Sequence, residues 1–458
     1  MVASPQIQRW VFLAMIALAS GCATSGEKLA RVSWEEASRV ERPAAEPKSA
    51  PSKSLERIGS LSELLQRAKL ENHGIQAAYE RWEAAIEGIA GARTLPDPKL
   101  TYANFLQSVE TRLGPQNQKF GLAQTIPLGK LGPRGDIAAN QARVMEAHVR
   151  KAEQNLELRL SELWFDYYFL ARSVQITEEN LSLMEQLESV ALSQYAAGKA
   201  SQASVVRAQV ELAKLEDRLR TLRDAKEPLI AMMSAELSSD TSHEYSAPAS
   251  LPSPGSIPSS AELKGWLRRE NPELNATLYE LKKTEFASKL ANRSTIPNLT
   301  LGVEYIDTGE AVSPSLLDSG KDAAVVMAAI TLPIWLNKNG SQKREARANV
   351  SAKAEELDQL ESRLLAELEQ AHFKFRDAER RIDLFATTLL PKARQSLEVS
   401  ERAFAANEIK FLDLVDSQRT LLEFELNFEQ ALVTRAKALA KLNRLVGGVL
   451  VSGETRMN

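Results

Sequence analysis

The chain has 458 residues, of which 26% are charged and only 6% aromatic, with 21 glycines and a formal net charge of −3. That profile leans towards long helices rich in Ala, Leu, Glu, Arg and Lys, and it lacks the basic field that a nucleic-acid partner needs. Length alone suggests two or three domains.

At the N-terminus Arg9 precedes the apolar run WVFLAMIALA (Trp10–Ala19), which leads into Ser20, Gly21 and Cys22. A charged start, a short apolar stretch and small residues at a cleavage point make residues 1–21 a secretory signal. The run is too short to span a membrane as a helix. Cys22 is the only cysteine and follows LASG directly, which resembles a bacterial lipoprotein signal. The resemblance implies that Cys22 carries a covalent lipid and that, with Ala23 next, the protein is delivered to the outer membrane. An ordinary signal peptide with an incidental cysteine is the alternative. With a single cysteine no disulfide is available. Residues 22–55 contain RPAAEPKSAPSKS and read as an extended spacer.

Two matching halves follow, residues 56–241 and 261–447, joined by the Pro/Ser-rich linker 242–260; residues 448–458 form a tail. Each half opens with an amphipathic helix, Leu61–Thr94 and Ala261–Ser294. Each then passes through a proline into two strands, about 99–107 and 118–127 in the first half and about 298–306 and 323–333 in the second. In the second hairpin Leu299, Leu301, Val303 and Tyr305 alternate with Thr300, Gly302 and Glu304, one apolar face and one polar. Strands of about nine to eleven residues suit a tilted crossing of a bilayer.

After each hairpin comes a long helix. Leu156, Leu160, Leu163, Tyr167, Leu170, Val174, Thr177, Leu181 and Met184 step alternately by four and three, as do Val205, Ala208, Leu212, Leu215, Leu219 and Leu222. That is coiled-coil spacing, and the stripe from Leu357 to Leu389 repeats it with one extra step of four between Leu364 and Leu368. As one helix, Arg134 to Ala197 would reach about 96 Å. The stripes break at YAAGKASQ (Tyr195–Gln202) and FAANEIKF (Phe404–Phe411), where Gly198 and Asn407 occupy the same place. Gly and Asn take a left-handed backbone most readily, so both positions predict sharp helix reversals. Just past the second, Asp413 and Asp416 share one helix face.

Four strands cannot close a barrel, and open sheet edges are not tolerated in lipid. Membrane-spanning strands would therefore require several chains to share one barrel; three chains give twelve strands, although the count alone leaves two or four open. The four histidines, His73, His148, His243 and His372, pair with no acid at metal-ligand spacing, and no nucleophile motif or phosphate loop stands out. The sequence thus predicts no enzyme.

From about residue 56 to 447 the chain resembles the TolC-like outer-membrane factors. The likeness rests on the repeated helix, hairpin and long helical hairpin, on LAQTIPLGKLGPRGDIA and ITLPIWLNKNGSQKREA leaving the strands, and on NEIKFLDLVDSQRTLLEFELNFEQALVTRAKALAKLNRLVG after the second turn. The fold class it implies is mostly α with membrane β: two tandem repeats whose homotrimer forms a 12-stranded barrel in the outer membrane and a 12-helix periplasmic barrel. The implied function is passive conduction for a tripartite efflux system, with a periplasmic membrane-fusion adaptor and an inner-membrane pump of the resistance-nodulation-division type as partners and no cofactor beyond the lipid on Cys22. Gly198, Ala200, Ser201, Ser204, Asn407, Ile409 and Phe411 would form the periplasmic tip where the adaptor docks, and Asp413 and Asp416 would line the pore constriction. Family members hold the tip shut with polar links whose positions correspond here to Ser204 and Ile409, so closure would rest on packing by residues such as Phe404 and Ile409. A type I secretion outlet of the same fold, or a lipid-anchored coiled-coil tether, are the competing readings.

Overall fold

Ser60 starts the first long run of helix, its hydroxyl accepting the Glu63 N–H at 3.2 Å. This computed structural model describes residues 28, 31–35, 57–238, 244–252, 257–313, 317–448 and 450. Cys22 and the leader lie outside the described residues. The first expected helix is two: α1 (Leu61–Glu71) and α2 (His73–Arg93). They meet at Asn72, whose side-chain Oδ1 accepts the Ile75 N–H at 2.9 Å while its side-chain Nδ2 donates to the Glu236 carbonyl at 2.8 Å. The second half repeats the joint. Asn271, 3% exposed, caps Glu273 and Leu274 and donates to the Leu445 carbonyl. An Asn side chain that serves as N-cap and bonds the end of another helix fixes the break twice over.

In chain order the remaining elements begin with β1 (Arg57–Ile58), then β2 (Lys99–Thr111), β3 (Gly114–Pro127), α3 (Leu131–Ala196), α4 (Gln202–Asp224), α5 (Lys226–Glu236) and β4 (Glu244–Tyr245). The second half supplies α6 (Ser260–Glu270), α7 (Pro272–Asn292), β5 (Asn298–Thr308), β6 (Ala323–Ile330), α8 (Leu336–Leu384), α9 (Leu390–Ala405) and α10 (Phe411–Leu445). The first hairpin runs further than expected, to Thr111 and back from Gly114, and β6 stops at Ile330, short of the expected 333. Helix α3 is 66 residues long, about 99 Å at 1.5 Å per residue. Between α8 and α9 the chain makes one π turn, Phe385–Leu389, immediately before Pro391. Proline has no N–H and its ring crowds the preceding turn, and a wider turn relieves both. The apolar spacing alone gives no sign of this turn.

Two compact units emerge, and each draws on both sequence halves. One comprises residues 1–40, 79–147 and 276–358, the other 41–78, 148–275 and 359–458. The first holds the four-stranded antiparallel sheet, ordered β2-β3-β5-β6. In it, residues 31–35, expected to be extended spacer, are helical: Trp34 meets the Trp82 ring edge-on at 5.0 Å and Arg31 pairs with Glu87 at 3.3 Å. Aromatic burial orders a segment whose composition suggested none.

The second unit is helical. The Leu stripes become its core: Ile176, Met184 and Ala191 of α3, Val205, Ala208 and Leu215 of α4, Leu390, Leu397 and Phe404 of α9, and Phe411, Leu414 and Leu421 of α10 form one cluster. Each fully buried large apolar side chain contributes about 1.5–3 kcal/mol. Strands β1 and β4 pair in parallel here, with Ile58 fully buried and the Tyr245 carbonyl accepting the Tyr167 hydroxyl at 3.1 Å. Part of the linker is thus tied down.

Candidate functional site

The two reversals are the same motif. Gly198 has φ +71° and Asn407 φ +64°. The Lys199 N–H reaches back to the Gln194 carbonyl at 2.8 Å, and the Glu408 N–H to the Ala403 carbonyl at 2.8 Å. A bond spanning six residues across a left-handed residue closes a helix and satisfies its last carbonyls. The next helix starts three or four residues later, at an extended Ser201 in the first copy and an extended Lys410 in the second. Ser201 and Ser204 hydroxyls lie 3.1 Å apart.

The expected tip residues divide by exposure. Gly198, Ser201 and Asn407 are exposed; Ala200, Ser204 and Ile409 are half-buried, Ile409 packing against the helical core. Phe411 is 3% exposed and meets the Phe404 ring in a tilted contact at 5.5 Å. It supports the turn from inside and offers no surface for docking. The Gln194 amide donates to the Phe404 carbonyl at 3.1 Å, joining the end of α3 to the end of α9.

Asp413 and Asp416 are both exposed on one face of α10. Asp413 also caps its own helix, the carboxylate accepting the Lys410 N–H at 3.2 Å. An acid in the first turn suits the positive end of the helix. Among the described residues, the charged neighbour of Asp416 is the loosely placed Arg419 guanidinium at 4.0 Å. Arg419 itself forks onto Glu211 of α4, which Lys214 also approaches at 3.0 Å. Burial alone would raise the Glu211 pKa, but bonds from Arg419 and Lys214 outweigh it and hold the carboxyl below the usual range.

Further along the same bundle, polar groups sit inside the apolar stripe. The Gln418 side-chain amide donates to Asn180 Oδ1 at 2.8 Å, both side chains buried. Glu429, 5% exposed, accepts the Tyr168 hydroxyl at 2.9 Å and the Arg172 guanidinium at 2.8 Å. Burial, then the hydrogen bond to Glu429, pushes the Tyr168 phenol up to about 12. Such satisfied pairs fix register between helices that a Leu stripe alone leaves free to slide. Sequence reasoning missed Glu429, Glu211 and Arg419, although charged residues inside or beside an apolar stripe were the available signal.

The sheet carries the other functional surface. Its register aligns Leu100 with Leu122, Tyr102 with Phe120, Phe120 with Tyr305, Val303 with Val326, and Leu299 with Ile330. Together they make one apolar face across all four strands, and Leu100, Val326 and Ile330 are exposed on it. The opposite face holds the Lys119–Glu304 ion pair at 2.6 Å and the Thr125–Thr300 hydroxyl pair at 3.0 Å. Strands β2 and β6 are the outer two in the order. Among the described residues no helix is long and apolar enough to cross a membrane, and no group of three or more His, Cys, Asp or Glu could hold a metal ion.

Residues 266–448 match the family model described as outer membrane efflux protein. The cobalt-zinc-cadmium resistance protein CzcC of Cupriavidus metallidurans is 22% identical over 396 residues, spanning 85% of this chain and 90% of its own length. A structure of CusC, solved in a study of folding and transmembrane channel formation, shares the fold with a TM-score of 0.72 at 14% identity, over 88% of this chain and 96% of CusC. The open state of the Neisseria gonorrhoeae MtrE outer membrane channel gives 0.69 at 17% identity, over 88% and 94%. The matched segment begins within α6 and runs to the residues just past α10, taking in the second hairpin, the second reversal and both acids. That segment matches the outer membrane efflux protein family, and along most of its length the chain shares the fold of these solved channels.

Proposed function

We propose that the protein is the outer-membrane channel subunit of a tripartite efflux system, passively conducting what a periplasmic adaptor and an inner-membrane pump deliver. The observation that carries this is the sheet: one mostly apolar face interrupted by Gln124 and the Asn104–Gln118 pair, an opposite face carrying the ion pair and the threonine pair, and β2 and β6 with outer edges open. An apolar face of this extent marks a membrane or protein contact, and open edges in lipid must be paired by other strands. Three chains joined edge to edge would give a closed barrel of twelve strands. In that homotrimer the long helices continue the conduit into the periplasm, Gly198, Ala200, Ser201, Ser204, Asn407 and Ile409 form the docking tip, and Asp413 and Asp416 the constriction. Cys22 supplies a lipid anchor in the outer membrane. The CzcC relative, named for cobalt, zinc and cadmium resistance, supports metal cations as the cargo class.

Planar-bilayer recording tests the reading. The purified protein should form cation-preferring channels, and Asp413→Ala with Asp416→Ala should raise conductance and abolish that preference. A protein that forms no channels would return the tether reading; channels indifferent to both substitutions would remove the constriction from these acids.

A further inference from the structure

The sheet-bearing unit contains an open cavity of about 550 Å³ bordered by the starts of α3 and α8 and the end of α7. Lys130, Arg134 and Lys338 line it, with Glu345 as the one acid of the lining. None of the three cations forms an ion pair with a carboxylate among the described residues; Lys130 instead donates to the Asn298 amide oxygen at 2.8 Å. Burial, then repulsion from Arg134, lowers the Lys130 pKa. The Ser294 hydroxyl, also in the lining, is buried without a hydrogen-bond partner. Two helices begin at this cavity, so their positive ends add to the field.

Its level relative to the strands is informative. Strand β3 ends at Pro127, three residues before Lys130, and Ile334, Trp335 and Leu336 stand exposed immediately before Lys338. An exposed Trp flanked by aliphatic residues, with Lys338 three residues on, suits the boundary where hydrocarbon gives way to headgroups. We propose that this cavity is a binding site for a phosphate group, held by Lys130, Arg134 and Lys338 with the Ser294 hydroxyl as a further donor. The phosphate comes from an anionic phospholipid headgroup or from free phosphate, and the lipid source rests on the outer-membrane reading above.

Full-length protein in dodecyl maltoside would be titrated with phosphatidylglycerol and with inorganic phosphate, phosphatidylcholine serving as the lipid of no net charge. Each cation near such a surface contributes about fivefold in affinity, so Arg134→Gln with Lys338→Gln should weaken binding by roughly 25-fold. Glu345→Gln should tighten it by about fivefold, a gain that misfolding cannot produce. Binding of phosphatidylglycerol alone with this charge dependence assigns the lipid source; binding of inorganic phosphate with the same dependence assigns the free anion. Absence of binding by both, or affinity unmoved by the double substitution, overturns the site. Conductance recorded on the same variants reads the channel function separately, so loss of phosphate binding with channels intact refutes only this inference.

Discussion

Gly198→Ala isolates the backbone contribution of the tip. At φ +71° a Cβ added to Gly198 meets nothing within 4 Å, so the substitution creates no clash and tests backbone conformation alone. An L-residue other than Gly or Asn pays about 1–2 kcal/mol in that region. The bonds that depend on the turn are those from Lys199 and Ala200 N–H to the Gln194 carbonyl, at 2.8 and 3.2 Å. If they open locally, exchange of these amides should accelerate by the same free energy, about 5- to 30-fold at 1.4 kcal/mol per decade. Gly198→Asn should recover most of the protection, since Asn407 already occupies the equivalent place at φ +64°. Hydrogen exchange with mass spectrometry on the solubilised protein reads both, with the Glu408 amide, bonded to the Ala403 carbonyl, as internal reference. Unchanged exchange at Lys199 and Ala200, or equal acceleration at Glu408, would refute the reasoning.

Three further outcomes are expected. Tyr168 has its phenol pKa raised to about 12 from an ordinary 10; the neutral form is favoured by folding, so its contribution is complete below pH 10 and lost as pH rises through about 12. Heat stability followed by circular dichroism should fall across that window, and Tyr168→Phe should flatten the fall. Val303→Lys, placed on the apolar sheet face, should cost about 2–4 kcal/mol in a membrane barrel and deplete the protein from outer-membrane fractions, whereas Ala329→Lys on the opposite face should be tolerated. Arg419→Ala removes an exposed partner and should cost at most about 1 kcal/mol at neutral pH. Because the Glu211 carboxyl lies below its ordinary 4.5, the pair stabilises above that pH and is lost on further acidification, so the variant should show a smaller acid-induced loss.

Local chemistry explains what could be read in advance. Left-handed closure depends on one residue, and Gly198 and Asn407 announced it. The apolar stripes depend on spacing, and none of the residues placed on them is exposed. Strand ends depend on partners instead: β2 outran its expected end because Thr111 and Gly114 close a tight turn, the Thr111 hydroxyl bonding the Gly114 carbonyl at 2.7 Å. The Asn72 and Asn271 joints, the two-residue β1–β4 pair and the Trp34 contact all rest on groups far away in sequence. Nothing in periodicity reports them. The sequence offered Asp413 only as a pore residue; the contact it makes within one chain is a cap on its own helix.

That distinction bears on closure. If Ser204 and Ile409 stand at the latch positions the resemblance implies, the polar latch is missing; the links seen near the reversals lie within one chain, Gln194 to the Phe404 carbonyl, Arg419 to Glu211, and the Ser400 and Ser417 hydroxyls at 2.9 Å. Links within a chain stiffen each helical hairpin but cannot resist separation of one chain from the next. Exposed Asp413 and Asp416, brought together by a threefold axis, would add repulsion, so the tip should open at lower threshold than in latched relatives. A divalent cation reverses that sign by bridging carboxylates across the axis. Millimolar Mg²⁺ should therefore reduce single-channel current in the parent and leave the Asp413→Ala, Asp416→Ala channel unaffected. Equal block of both would place the cation site elsewhere and remove the acids from the account of closure.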